Sequence, residues 1–120
     1  MPSRVLIVDD ALFMRNLLRD IFSSAGWEIV GEAADGKEAL QKYQDLRPNL
    51  VTMDIVMPEW SGIDALQGIL AVDPEAVVVM CSALGQESMV MEAIQKGARD
   101  FIVKPFQQDQ VLEVVNRVLG

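Results

Sequence analysis

Val5-Leu6-Ile7-Val8-Asp9-Asp10 is the stretch on which the fold turns. A run of aliphatic residues leads directly into two carboxylates. An alternating strand would leave one polar face; a continuous apolar run reads as a strand buried on both faces, and so as a parallel strand covered by helices. Three further runs have the same form. Leu50-Val51-Thr52-Met53 ends at Asp54, Val77-Val78-Val79-Met80-Cys81 ends at Ser82, and Phe101-Ile102-Val103 ends at Lys104. In a parallel sheet all C-terminal strand ends share one edge, where ligands bind. Three carboxylates, one hydroxyl and one ammonium are therefore predicted to meet there, a set suited to a metal ion and a phosphoryl group.

Helical periods separate these runs. Phe13, Met14, Leu17, Leu18, Ile21 and Phe22 recur at helical spacing after Asp10, and Gly26 stops that helix. Trp27 to Ala33 reads as a second strand, more polar through Glu28 and Glu32, and so nearer an edge. Asp35 caps a helix to about Leu46. A loop at the active edge, Pro58-Glu59-Trp60-Ser61-Gly62, precedes a third helix from Ile63 to about Val72, ended by Asp73-Pro74. A fourth helix spans roughly Gln86 to Lys96 and stops at Gly97; a fifth spans about Gln108 to Leu119. Alternating β and α elements with right-handed crossovers give an α/β, doubly wound parallel sheet. A nucleotide or flavin domain of that kind needs a glycine-rich loop after its first strand. Asp9-Asp10-Ala11-Leu12 stands there instead.

Composition narrows the function. With 120 residues, the chain is predicted to form one domain over 1–120. Its net charge of −8 disfavours direct nucleic-acid binding, which needs a basic face. No histidine is present, which removes imidazole bases, the usual zinc sites and a self-supplied phosphohistidine. Cys81 is the single cysteine, so no disulfide forms within the chain, and a reduced, cytoplasmic setting is expected. The apolar runs are far shorter than the ~20 residues of a membrane span. Met1-Pro2-Ser3-Arg4 leads straight into the first strand, so no signal peptide is expected. The chain ends with its fifth helix, and no output domain is expected either.

The residues VLIVDD, MDIVMPEWSG, VMCSALG and FIVKPF, in that order and each at a strand end, resemble the receiver domain of two-component response regulators. Within that family the chain looks most like the single-domain chemotaxis regulators of the CheY type, over nearly its whole length. The resemblance implies a flavodoxin-like (βα)5 fold with five helices and a five-stranded sheet in the order 2-1-3-4-5.

It also implies a role for each residue. Asp54 is the phosphoacceptor, whose carboxylate attacks phosphorus and forms an acyl phosphate. Asp10 and Asp54 bind Mg2+ directly (Mn2+ is a plausible substitute), Val56 adds its backbone carbonyl, and Asp9 acts mainly through water. Adjacent carboxylates repel and raise their own pKa values, a penalty that a hard dication removes. Lys104 pairs with Asp54 before phosphorylation and with a phosphoryl oxygen after it, and a cis bond to Pro105 aims it. Ser82, where many relatives carry threonine, donates to the phosphoryl group. Phe101 is the aromatic switch. Val56 and Leu84 flank the site and set the phosphoryl lifetime. Met14 and Met57 are expected at its mouth, and Trp60 partly exposed in its loop.

The implied partners are a CheA-type histidine kinase and the flagellar motor switch protein, with a phosphatase as a further partner. The protein is expected to act as a cytoplasmic monomer and to catalyse only its own phosphorylation and dephosphorylation. Two other classes share parts of this pattern. A regulator with a separate output domain would contain the same receiver. Phosphatases of the haloacid-dehalogenase type also use a strand-end aspartate, but carry a second aspartate two residues later, where this chain has Val56.

Overall fold

The predicted alternation is realised as ten elements in a computed structural model, which describes residues 3–119. Met1, Pro2 and Gly120, which the expected domain over 1–120 and the reading of the N-terminus include, lie outside the described residues. The elements are β1 (Arg4–Val8), α1 (Leu12–Ser24), β2 (Glu28–Ala33), α2 (Gly36–Leu46), β3 (Leu50–Asp54), α3 (Gly62–Val72), β4 (Val78–Ser82), α4 (Glu87–Gln95), β5 (Asp100–Val103) and α5 (Gln108–Leu119). All five strands run parallel in the order β2-β1-β3-β4-β5. The expected order and helix count hold.

Burial explains that order. Every residue of β3 and β4 is buried, and so is β1 after Arg4. The most apolar strands thus occupy the centre, while β2, with Glu28 and Glu32, takes one edge. Alternate side chains of the central strands feed two cores. Leu6, Val8, Val51, Met53 and Met80 pack against α2, α3 and α4, through Tyr43, Leu66, Ile69 and Val90 among others. Val5, Ile7, Leu50, Val79 and Cys81 pack against α1 and α5, through Leu18, Phe22, Val111 and Val115. Each fully buried aliphatic side chain contributes about 1.5–3 kcal/mol. Two covered faces leave the C-terminal edge as the place where polar groups gather.

Local signals set the helix ends. Asp35 caps α2 by accepting from the Glu38 amide at 2.8 Å, as expected. Ser61 and Asp64 form a reciprocal capping box that starts α3 at Gly62, one residue earlier than the periodicity suggests. Gly26 and Gly97, the predicted stops, hold positive φ. Strand β2 begins at Glu28 rather than Trp27, because Trp27 turns edge-on to Phe22 with ring centroids 5.3 Å apart. Strand β4 is shifted one residue along, to Val78–Ser82. The arginine at position 4 caps the other end of α2, donating to the carbonyls of Leu46 and Arg47 at 2.8 and 2.9 Å. Phe13 departs from the helical pattern. It is 67% exposed, because the first turn of α1 starts at the sheet edge, ahead of the stripe formed by Leu18, Ile21 and Phe22.

One glycine fixes the distance between α3 and β3. The Gly62 amide donates to the Ile55 carbonyl at 2.7 Å, and a Cβ on Gly62 would sit 2.0 Å from the Asp54 carbonyl oxygen. The helix can reach the end of β3 only without a side chain there. Gly62→Ala is expected to lower stability by at least about 2 kcal/mol, as overpacking against rigid backbone does. A urea midpoint equal to that of the wild type would contradict this.

Candidate functional site

The ends of β1 and β3 bring Asp9, Asp10 and Asp54 together, with a carboxylate oxygen from each within 4.8 Å of the others. Asp9 is fully buried, Asp54 is 5% exposed and Asp10 faces solvent. The end of β5 contributes Lys104, whose Nζ lies 3.0 Å from Asp9 Oδ2 and 3.3 Å from Asp54 Oδ1. The shorter contact is thus to Asp9, whereas the resemblance implies Asp54 as its partner. Only the contact to Asp54 has hydrogen-bond geometry. Asp9 Oδ1 accepts from the Ala11 amide at 2.9 Å, but Asp9 Oδ2 is buried with no hydrogen-bond donor.

Three carboxylates against one ammonium leave this cluster short of positive charge. Asp54 is pushed up to about 7, first by burial and then by the charge of Asp9, with Lys104 opposing and Asp10 adding to the rise. Burial pulls Lys104 the other way, but Asp9 and then Asp54 outweigh it and hold the ammonium above its usual value. The neighbouring Cys81 pairs with Asp54 across β3 and β4, and burial pushes its thiol well above the normal range. The cluster fits a hard divalent cation on three grounds: an all-oxygen donor set, a net excess of negative charge, and a buried carboxylate oxygen, Asp9 Oδ2, whose one ion-pair partner among the described residues is the Lys104 ammonium, outside hydrogen-bond geometry.

The other expected residues surround this cluster. Ser82 ends β4 and is buried; its carbonyl accepts from the Lys104 amide at 2.7 Å, tying the ends of β4 and β5 together. The bond from Lys104 to Pro105 is cis. Val56 and Leu84 stand on the rim, 50% and 86% exposed. Trp60 is half-buried with the Lys37 ammonium 6.0 Å from its ring centroid. Phe101 is not in the acidic cluster. It lies 40% exposed on β5 and lines a cavity of about 270 Å3 with Ser82, Leu84, Val90, Met91 and Val103. Met14 is half-buried, and Met57, expected at the mouth, is buried with Ile55 and Ile63 in the core after β3 ends at Asp54.

Two contributors went unread in the sequence. Gly62 sets the backbone spacing behind Asp54. Arg15, on the second turn of α1, donates to the Asp9 carbonyl at 2.7 Å and to Glu32 at 3.0 Å. Its spacing of six residues from Asp9 was the available signal, since that places it three residues, about one turn, into the helix that follows the acidic pair.

The whole chain is similar to known proteins. The family model for the response regulator receiver domain matches residues 5–116. The chemotaxis protein CheY of Thermotoga maritima is 58% identical over 118 residues, covering 98% of each chain. The CheY of Bacillus subtilis is 56% identical over 120 residues and 100% of each. In the crystal structure of the CheX-CheY-BeF3-Mg complex from Borrelia burgdorferi, a chain superposes with a TM-score of 0.95 at 44% identity, covering 100% of this chain and 91% of that one.

The raised value of Asp54 has a consequence for stability. An unfolded aspartate titrates near ~3.9, so the folded protein holds this proton more tightly. Its contribution is fully present in acid and is lost as pH rises from about 4 through about 7. In metal-free protein, raising the pH from about 5 to about 8 should lower the Tm of the wild type by at least about 4 °C more than that of Asp54→Asn. Parallel melting curves for the two proteins would remove Asp54 as the source.

Proposed function

The chain belongs to the response regulator receiver domain family, and from that premise we propose that it is a phosphorylation switch of chemotaxis whose acceptor is Asp54. It is a receiver of the CheY type. The observation that carries the proposal is the meeting of Asp9, Asp10, Asp54 and Lys104 at one sheet edge. The reading covers residues 1–120 as a single receiver domain, a cytoplasmic monomer that catalyses only its own phosphorylation and dephosphorylation.

The donor is the phosphohistidine of a CheA-type kinase. An Asp54 oxygen attacks phosphorus in line; the O–P bond forms as the P–N bond breaks, and the imidazole keeps the electron pair and takes a proton from water. Asp10 and Asp54, with the Val56 carbonyl, would hold Mg2+ or Mn2+, and Asp9 would act on it mainly through water. Bound there, the cation neutralises the carboxylates and the incoming phosphoryl oxygens. Lys104, already 3.3 Å from Asp54, turns to a phosphoryl oxygen, and the Ser82 hydroxyl donates to another. The local charge thereby goes from about −1 on the carboxylate to about −2 on the acyl phosphate, with strong acceptor oxygens, and is then read by β4 and β5, whose ends Ser82 and Lys104 share.

Phe101 is the next link. Its ring borders the cavity that Ser82 also lines, so a shift of Ser82 toward the phosphoryl group opens room on that side. Full conversion, from about 1:99 to about 99:1, takes roughly 5.5 kcal/mol of differential interaction. The face from α4 through β5 to α5 then binds the flagellar motor switch protein. The Borrelia relative crystallised with CheX supports a partner of the chemotaxis system; a phosphatase is a further partner of this reading. A phosphatase chemistry on small substrates is disfavoured, because Val56 has no proton to give.

Intact mass after incubation with acetyl phosphate tests the acceptor. A gain of one phosphoryl group that requires both Mg2+ and Asp54, and is absent in Asp54→Asn, is the expected result. No gain in the wild type would reject the switch. Lifetime is a separate outcome. The half-exposed Val56 cannot hold an attacking water by a hydrogen bond, so Val56→Asn is expected to lose phosphate several-fold faster. Equal decay rates would clear Val56 of that role.

A further inference from the structure

Asp10 offers the solvent-facing oxygen of the acidic cluster, yet among the described residues its side chain makes no hydrogen bond or ion pair. Its position is set by its backbone. The peptide that leads into it carries the Asp9 carbonyl, which accepts from Arg15 at 2.7 Å. The preceding amide, that of Asp9, donates to the Ala33 carbonyl on β2 at 3.0 Å. Arg15 is in turn tied to β2 by the Glu32 carboxylate at 3.0 Å, and both side chains are mostly buried, 17% and 20% exposed. Arg19 binds the same carboxylate from the solvent side but does not reach Asp9. Burial alone would raise Glu32, but Arg19 and Arg15 hold it below its usual range, so it stays charged at neutral pH.

We propose that Arg15 is a positioning residue for the divalent-cation site, acting through the Asp9-Asp10 peptide and itself oriented by Glu32. This rests on the reading of the acidic cluster as a cation site. The fork of the guanidinium is what the role requires: one nitrogen holds the carbonyl while another holds the carboxylate, so the peptide plane is fixed against β2. With that plane fixed, Asp10 leaves the turn aimed at Asp54 instead of sampling solvent. Groups that orient metal ligands typically change affinity by about 10–100-fold when removed.

The charge of Arg15 works in the opposite direction, which makes the proposal separable from general electrostatics. A guanidinium beside the cluster repels a dication, so deleting it should tighten Mg2+ binding if charge were all it supplied. If Arg15 positions the turn, deletion weakens binding. Calorimetric titration of Mg2+ into wild type, Arg15→Ala, Arg15→Lys and Arg19→Ala tests this, with circular dichroism confirming that each is folded. Arg15→Ala is expected to bind about tenfold more weakly. Arg15→Lys keeps the charge but loses the fork, and is expected to bind several-fold more weakly; it carries the test should the alanine variant not fold. Arg19→Ala is expected to match the wild type or bind more tightly. Unchanged or tighter binding by both Arg15 variants, even with a lower Tm, would overturn the proposal, as would equal weakening by Arg19→Ala. Wild type that takes up no Mg2+ would overturn the cation site itself, whereas wild type that binds while the Arg15 variants bind equally well would overturn only the role of Arg15.

Discussion

Coulombic crowding at one edge of the sheet is the constraint around which the rest of the molecule is arranged. Three carboxylates share a space of under 5 Å, and two of them are removed from water. One lysine compensates them in part, at 3.0 and 3.3 Å. Such an arrangement is unfavourable by itself, and it persists because the strands that carry it are secured elsewhere. Val5 to Val8 and Leu50 to Asp54 are buried on both faces, so withdrawing either aspartate would pull an aliphatic strand out of two cores at once. The stability of the interior is thereby spent on holding together groups that repel, and a cation or phosphoryl group meets a site already assembled.

The same cores also divide the molecule into firm and yielding parts. Every residue of the central strands except the half-buried Arg4 is buried, whereas in α4 only Val90 and Ala93 are buried, and in β5 only Ile102. Helix α4 also starts at Gln86 without a side-chain cap. Segments with few buried contacts open at lower free energy than the body of a domain. Asp54 sits on the firm side and Phe101 on the yielding side, with Ser82 and Lys104 at the junction. A charge placed at Asp54 therefore meets packed strands on one side and a loosely covered segment on the other.

Most of this was legible in the sequence because it rests on local patterns. Continuous apolar runs distinguish doubly buried parallel strands from half-exposed ones, and the acidic, hydroxyl and ammonium side chains fall at their ends. Asp35 and Gly97 mark helix termini through chemistry that does not depend on tertiary contacts. The misreadings have a common cause, which is that periodicity says nothing about where an element stops being covered. Phe13 continues a helical pattern yet projects beyond the sheet, and Met57 follows the strand that carries Asp54 yet turns into the core. Gly62 and the bridge from Arg15 to Glu32 were invisible for another reason. Each depends on a distance between elements that only the folded chain sets, 2.0 Å from a virtual Cβ to the end of the preceding strand in one case and 3.0 Å across 17 residues in the other.

The buried Cys81 thiol has a practical meaning of its own. It is 1% exposed, faces the α1 and α5 side of the sheet, and its proton is held more firmly than in a free thiol. The thiolate is the form that attacks an alkylating reagent, so in the native state this sulfur is screened twice, by access and by ionisation. As the chain has no second cysteine, any label marks this sulfur alone, and its burial ties alkylation to molecules whose central sheet has opened. The protein thus contains an internal clock for its own opening: the rate of labelling at Cys81 counts excursions of the strand next to Asp54, and comparing that rate with and without a ligand at the acidic edge would time how strongly the site grips the sheet.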